Sequence, residues 1–282
     1  MTDLLFSRRD GITMMALGAG FLLAPMTGAR AAPLSSDELR TYLRVRSRVD
    51  GKPVFYPYRG TIFGKEFGHS TVPLFDVEGF SWDRLTVIAD GRYRIDTAEA
   101  GYFLDRQTGL PLTNWVNPMN GVETQVQHYR AFAHVAISDG KLEPIFAGAA
   151  PAGMEIAASM SAQTKMNGKV WIHEDVIARF PNKPRSSFTD AREYIGPIIE
   201  ATSLATWSAD IAHLADERRH FVPAMFSYQT LGSWRPFMRM GTTPGVISWR
   251  MFGTKEPTID RIPLALHARV LGEYPDFLTR SS

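Results

Sequence analysis

The sequence predicts an all-β domain, a barrel or sandwich of antiparallel hairpins, with short helices mainly at its two ends. Three observations carry this. At least ten short segments alternate apolar and polar residues or concentrate β-branched and aromatic ones, the pattern of a half-buried pleated surface. Turn signals separate them at fairly regular spacing, among them Asp50-Gly51, Asp90-Gly91, Asn120-Gly121, Asp139-Gly140 and Asn167-Gly168. No internal repeat of fixed period is present, which argues against a propeller.

The chain starts with a segment that reads as targeting, not fold. Ser7-Arg8-Arg9-Asp10 precedes an apolar, Gly/Ala-rich run from Gly11 to Leu23, and Ala29-Arg30-Ala31 supplies an A-x-A cleavage signature. Twin arginines before a weakly hydrophobic core resemble a Tat signal, with Gly11 and Ile12 where that pattern prefers an early Phe. The expectation is export by the Tat machinery, cleavage near Ala31 and a periplasmic protein. The apolar run falls short of the roughly 20 residues a membrane span needs, and no other run qualifies. Losing residues 1–31 removes three arginines and two aspartates, so the net charge of +2 becomes +1. Residues 32–282 are then read as one β-rich domain.

Ser35 caps a short helix with Asp37 and Glu38 in its first turn, running to about Val45. Val54 to Ile62 reads as a strand that Pro57 confines to a sheet edge or bulge, followed by a loop from Phe63 to His69. Leu74–Phe80, Leu85–Ala89 and Arg92–Ala98 are strands. Gly101 to Glu123 holds two turns, Asp105 to Gly109 and Asn117 to Gly121, with Trp115 between them. It is either a binding loop carried by strands or a cap with Trp115 in the core below. Thr124 to Ile137 alternates, placing Val126, His128, Arg130, Phe132 and His134 on one face. Ala147 to Gly153 is a linker or long loop. Ser159–Met166 and Lys169–Phe180 form a hairpin about Asn167-Gly168, and Pro181 to Ser187 is a loop. Ile198 to Leu214 lacks a helical stripe and reads as strand. Phe221–Leu231 and Gly245–Gly253 are strands joined by a Trp/Arg/Met-rich loop, and Ile259 to Leu278 is a helix with Pro263 in its first turn.

With 44% hydrophobic and 21% charged residues the chain is no disordered segment. A net charge of +2 without a Lys/Arg block makes nucleic acid and anionic membrane surfaces poor partners. No cysteine is present, which removes disulfides, thiol catalysis, iron–sulfur clusters and thiolate metal sites together.

The chain resembles a bacterial and fungal family known as a domain of unknown function, whose members often carry Tat-like signals. The resemblance rests on YPYRGTIFG from Tyr56, on GYFLDRQTG with NWVNPMNGVE after it, and on GVISWRMFG with the closing YPDFL. It implies one β-rich domain, broadly a calycin or lipocalin-like barrel that encloses a small apolar ligand. It carries no catalytic residues over.

Motifs for common chemistries are missing: no GxSxG, HExxH or Walker A loop, and no strand–GxGxxG–helix unit. No cofactor and no metal is therefore expected. His128 and His134, six apart on one strand, stand roughly 20 Å apart at ~3.3 Å per residue and cannot share a metal. His173 and Asp175 would share a face and, if inward, form an imidazole–carboxylate pair able to accept a proton near neutral pH. The alternative is a solvated outer face. Trp115, Trp171 and Trp234, with Tyr58 and Tyr228, would line a barrel pocket or simply fill its core.

These residues lead to an expected exported, cofactor-independent lyase or isomerase acting on a hydrophobic, aromatic small molecule. His173 or His128 would be the base and Tyr58 or Tyr228 the acid. Arg235 and Asn117 would hold developing negative charge, and the three tryptophans would line the site. The alternatives are a periplasmic binding protein with the same pocket and no reaction, or an envelope interaction module without a cavity.

Overall fold

A computed structural model describes residues 33–89, 91–138, 141–146, 153–161 and 163–279. The targeting segment of residues 1–31, the turn at Asp139-Gly140 and all but Gly153 of the expected linker lie outside the described residues.

The helix α1 (Ser36–Arg46) begins as the sequence requires. Ser35 accepts from the Glu38 amide at 3.3 Å while Glu38 accepts from the Ser35 amide at 2.9 Å, a capping box. Then come β1 (Val54–Glu66), β2 (Val72–Ala89) and β3 (Arg92–Leu104), a small hairpin of β4 (Asn114–Val116) and β5 (Glu123–Gln125), then β6 (Tyr129–Ser138) and β7 (Lys141–Phe146). The second half holds β8 (Glu155–Met160), β9 (Thr164–Met166), β10 (Lys169–Pro181), β11 (Ile198–Asp210), α2 (Ile211–Ala215), β12 (Ala224–Gly232), β13 (Gly245–Thr254) and α3 (Leu264–Glu273).

Ten strands run in the order β7-β6-β3-β2-β1-β13-β12-β11-β10-β8, every described neighbour antiparallel. This is an up-and-down meander in which the first and last strands pair through Tyr58 and Gly253. The remaining edges, β7 and β8, lie beside each other, so the sheet is a nearly closed barrel. Closure removes most of the exposed edge that a ten-strand open sheet would present.

Alternation divides the strands into an inner and an outer face. The inner face and α1 share one core: Tyr56, Val77, Phe103, Ile137, Ile172, Trp207 and Trp249 are almost fully buried in it, with Leu39, Tyr42 and Val45 of α1 at one end. At the other end Trp115 stacks edge-on against Phe75 at 5.0 Å and faces Phe237 at 6.4 Å. Each such large side chain stabilises by about 1.5–3 kcal/mol. A second core lies outside, where α3 sets Leu266 and Val270 on Phe80, Trp82 and Tyr102 of β2 and β3. The Trp82 indole donates to the Phe277 carbonyl at 2.8 Å and fastens the chain beyond α3 to the wall.

Several elements depart from the sequence expectation. Pro57 is in a central strand, not an edge. Phe55 and Glu256 exchange both backbone bonds, so the donors of alternate residues point toward β13 there. The donor that Pro57 lacks falls between that bridge and the ladder that resumes at Tyr58, where its loss interrupts the pairing. Phe63 to Glu66, expected as loop, continues β1, and the two strands expected between Leu74 and Ala89 are one. The strand expected from Thr124 to Ile137 breaks at residues 126–128, so His128 lies just before β6 and not within it, with its ring 5.0 Å from that of Tyr102. Ile198 to Asp210 is strand, and Ile211 turns into α2. The C-terminal helix is only α3, with Pro263 as its N-cap; Pro275 disfavours helical backbone at Tyr274 and ends it. At the β9–β10 hairpin Asn167 and Gly168 take φ of 51° and 72°, as an Asn-Gly type I′ turn requires.

Candidate functional site

Midway along the barrel, Gly79 of β2 and Gly101 of β3 are cross-strand partners on the inner face. A Cβ on Gly79 would stand 2.3 Å from the Tyr58 hydroxyl oxygen, and one on Gly101 2.3 Å from Cζ and Oη of Tyr129. Both tyrosine tips therefore rest on bare backbone. That seating brings their hydroxyls to 2.5 Å from one another. Tyr129 also reaches Oε1 of Glu99 at 3.4 Å, and Tyr58 the Ala100 carbonyl at 3.3 Å.

The electrostatics of this group follow from its depth. Burial, then the Glu99 charge, holds both tyrosine hydroxyls well above their ordinary range, so they are proton donors at neutral pH. Burial raises the Glu99 carboxyl, while the two tyrosines and the charges of Arg235 and Arg46 draw it back down. Tyr228, whose hydroxyl donates to Ser203 at 2.8 Å, is raised by burial and by Glu99.

Arg235 enters from the loop after β12. Its guanidinium sits 5.1 Å from the Trp249 ring centroid and the residue is 8% exposed, yet Nε and Nη2 have no hydrogen-bond partner. The Trp249 indole N–H is also buried and unpartnered. Burial lowers the Arg235 pKa to about 10, against the opposing pull of Tyr129, Tyr228 and Glu99.

Several inward-facing residues around this group, including Thr97, Glu99, Ala131, Ala133, Ala158 and Tyr228, keep accessible surface although their strands face the barrel interior. Ala131 and Ala133 of β6 and Ala158 of β8 are small side chains that leave this part of the inner face only partly buried. Glu99 is thus an inward carboxyl that is largely buried and keeps some accessible surface.

A second polar group occupies the α1 end. Arg46 pairs with Asp83 and stands 3.6 Å from Glu174, whose Oε2 accepts from Tyr42 at 3.1 Å; Tyr56 donates to the Arg46 carbonyl. The Arg46 guanidinium also lies 4.7 Å from the Trp207 ring centroid. Lys255 donates to the carbonyls of Arg44, Val45 and Ser47 at 2.6–3.0 Å and closes the C-terminal end of α1. These contacts fasten the helix to the barrel.

Of the residues the sequence singled out, Tyr58, Tyr228 and Arg235 meet inside the barrel. His173 and Trp171 are on the outer face, because Val170, Ile172 and Glu174 take the inner positions of β10. His173 bonds Thr206 Oγ1 at 2.9 Å in a shallow, open depression with Asp175, Ser227 and Gln229, so the inward histidine–aspartate pair is corrected to a surface pair. His128 is also outside the group: its Nδ1 accepts from the Phe103 amide at 3.2 Å, and burial, then the Arg269 charge, lowers its pKa to about 4. Asn117 is fully buried, and its amide donates to the Met238 carbonyl at 2.8 Å and accepts from the Met119 amide at 3.0 Å, which docks one loop on another. Trp115 packs in the cap, and Trp234, donating to the Thr243 carbonyl at 2.8 Å, is wedged over Gly245.

Glu99, Tyr129 and Trp249 were not anticipated. Glu99 fell just past the expected end of its strand, and Tyr129 lay on the face opposite the histidines that drew attention. The available signal was a glycine two residues beyond Glu99 inside an otherwise aromatic strand, which marks close approach by another group. Among the described residues no three His, Asp or Glu side chains gather as metal ligands. No described helix is long and apolar enough to cross a membrane.

Comparison with curated proteins gives no match. A family model described as a protein of unknown function (DUF1838) matches residues 51–281. That span takes in every strand of the barrel and α3, and on this match the chain belongs to the DUF1838 family.

Proposed function

We propose that the protein is an exported enzyme that binds a small, hydrophobic, largely aromatic molecule inside the barrel and acts on it by acid–base chemistry, as a lyase or isomerase. The observation that carries this reading is the Tyr58–Tyr129–Glu99 hydrogen-bonded chain on the inner face, within electrostatic reach of the buried Arg235. Glu99 takes the part first given to a histidine. Burial raises its carboxyl above the ordinary glutamate range, which makes the carboxylate a stronger base. It would remove a proton from carbon; Tyr58, reprotonated through Tyr129, would deliver one either to another carbon or to a departing oxygen. Arg235 would hold the negative charge that develops between these steps. All of these roles fall to side chains, so the reading needs no cofactor.

The test is mass spectrometry of the purified protein and of a mixed aromatic panel before and after incubation, with and without chelator. Conversion insensitive to chelator and lost in both Glu99→Gln and Tyr58→Phe, with folding intact, is the expected result. Retention of a copurifying molecule without conversion would replace the enzyme by a binding protein. Full activity in both variants would overturn the assigned roles.

A further inference from the structure

The unpartnered edge of Arg235 narrows the class of molecule. Nε–H and the Nη2–H beside it lie on one edge of the planar guanidinium and point in parallel, the fork that a carboxylate accepts with its two oxygens. Both are buried and without a partner in the protein, and the indole N–H of Trp249, whose ring centroid is 5.1 Å from the guanidinium, is in the same condition. Buried donors are rarely left so, and two on one edge of a guanidinium mark a place where something else accepts. Arg46 differs in its charge partners: its Nε and the N–H of the neighbouring Trp207 also lack a hydrogen bond, but its guanidinium meets two carboxylates of the protein itself, and Arg235 meets none.

Building on the acid–base reading, we propose that the ligand is an aromatic carboxylate. Its carboxylate lies side-on against Nε and Nη2 of Arg235, one oxygen within reach of Trp249, and its ring extends over Tyr58 and Tyr129. This places the carbon next to the carboxylate toward Glu99. Proton loss from that carbon sends its electron pair into the carboxylate, and the charge forms on the oxygens that Arg235 already holds.

The experiment measures binding of acid and amide pairs (benzoate and benzamide, phenylacetate and phenylacetamide, cinnamate and cinnamamide) to the purified protein by tryptophan quenching and calorimetry. The expected result is a preference of roughly ten- to a hundredfold for the acid in at least one pair, the range a charged hydrogen-bonded contact supplies. The preference should vanish in Arg235→Gln and fall in Arg235→Lys, which keeps the charge and loses the fork. His173→Ala, on the outer face, should bind the acid with preference intact. Equal binding of acid and amide, a preference that survives Arg235→Gln, or a folded wild type that binds no member of any pair would each overturn the proposal. Its failure is distinguishable from failure of the acid–base reading. Acids held through Arg235 but never converted would sink the reaction and keep the carboxylate site. Conversion of neutral aromatics without acid preference would do the reverse.

Discussion

Gly101→Ala is the sharpest probe of how the polar chain is seated. Its φ is ordinary, so the substitution carries no backbone strain, and the whole cost comes from a Cβ set 2.3 Å from Cζ and Oη and 2.6 Å from Cε1 of Tyr129. A carbon contact needs about 3.5–4.0 Å, so the ring must move by more than an ångström within a packed barrel. Overpacking of this kind costs about 1–3 kcal/mol. Tyr129→Ala alone should cost about 3–5 kcal/mol. In that background the Gly101→Ala clash has no partner, and the substitution should gain about 0.4–1 kcal/mol by restricting the unfolded chain. The double-mutant cycle therefore predicts a coupling of about 2 kcal/mol, read from urea midpoints by tryptophan fluorescence. Gly79→Ala supplies the control. Its Cβ would meet the Ala100 backbone carbonyl at 2.4 Å as well as Tyr58, so Tyr58→Ala should not relieve it fully. Equal costs for Gly101→Ala with and without Tyr129 would refute the seating.

Three further outcomes follow from buried polar groups. Lys255→Met should destabilise by at least ~3 kcal/mol in thermal or urea unfolding, because three carbonyls at the end of α1 lose a donor at about 1–3 kcal/mol each. His128 accepts a backbone N–H through Nδ1 and its pKa falls to about 4, below its unfolded value, so the unfolded chain binds more protons between the two. Stability should therefore fall as pH drops from about 6.5 toward 4, less steeply in His128→Gln, and NMR should show the ring neutral above pH 5. Glu99 has the opposite sign. Its raised carboxyl binds more protons folded than unfolded, so its contribution weakens as pH rises above the ordinary glutamate range. Glu99→Gln should gain melting temperature over wild type at pH 8 and little at pH 5; a constant difference would count against the raised carboxyl.

The strands were legible in the sequence because alternation and Asn-Gly or Asp-Gly punctuation report local geometry. Their lengths were less so: β2 runs unbroken through Ser81-Trp82-Asp83-Arg84, whose polar residues resemble a turn but alternate with Phe80 and Leu85 across two buried faces. Facing was the hardest property. β10 carries Trp171 on one side and Val170 and Ile172 on the other, so hydrophobicity does not say which side is inner. A one-residue change of parity moves His173 from pocket to surface. On β3 the external helix α3 buries Ala98, Ala100 and Tyr102 from outside while Phe103 is buried from inside. Apolar residues on both faces hide the one carboxyl, Glu99, that points inward. That second layer comes from residues some 160 positions downstream, and nothing in the local pattern of β3 announces it.

Arg46 and Arg235 both point into this barrel, and their surroundings predict opposite responses to the same substitution. Arg46 stands between Asp83 and Glu174, both on the inner wall. Arg46→Met would leave two carboxylates buried without their cation, a loss of about 3–5 kcal/mol. Arg235 has tyrosines, a tryptophan and, at longer range, Glu99, but no carboxylate in contact and two idle donors. Nε and Nη2 have been taken out of water without a bond in return. Arg235→Met should then be neutral or stabilise the ligand-free protein by about 1–4 kcal/mol, as a well-packed apolar replacement of a buried ion does. A group that weakens the empty protein is maintained only by what it does when the barrel is filled, so the same variant should show no thermal stabilisation by an aromatic acid that raises the wild-type melting temperature. Melting curves of both variants with and without that acid decide the matter. Strong destabilisation by Arg235→Met in the empty protein would show that Arg235, like Arg46, holds the fold together, and the carboxylate site would lose its main support.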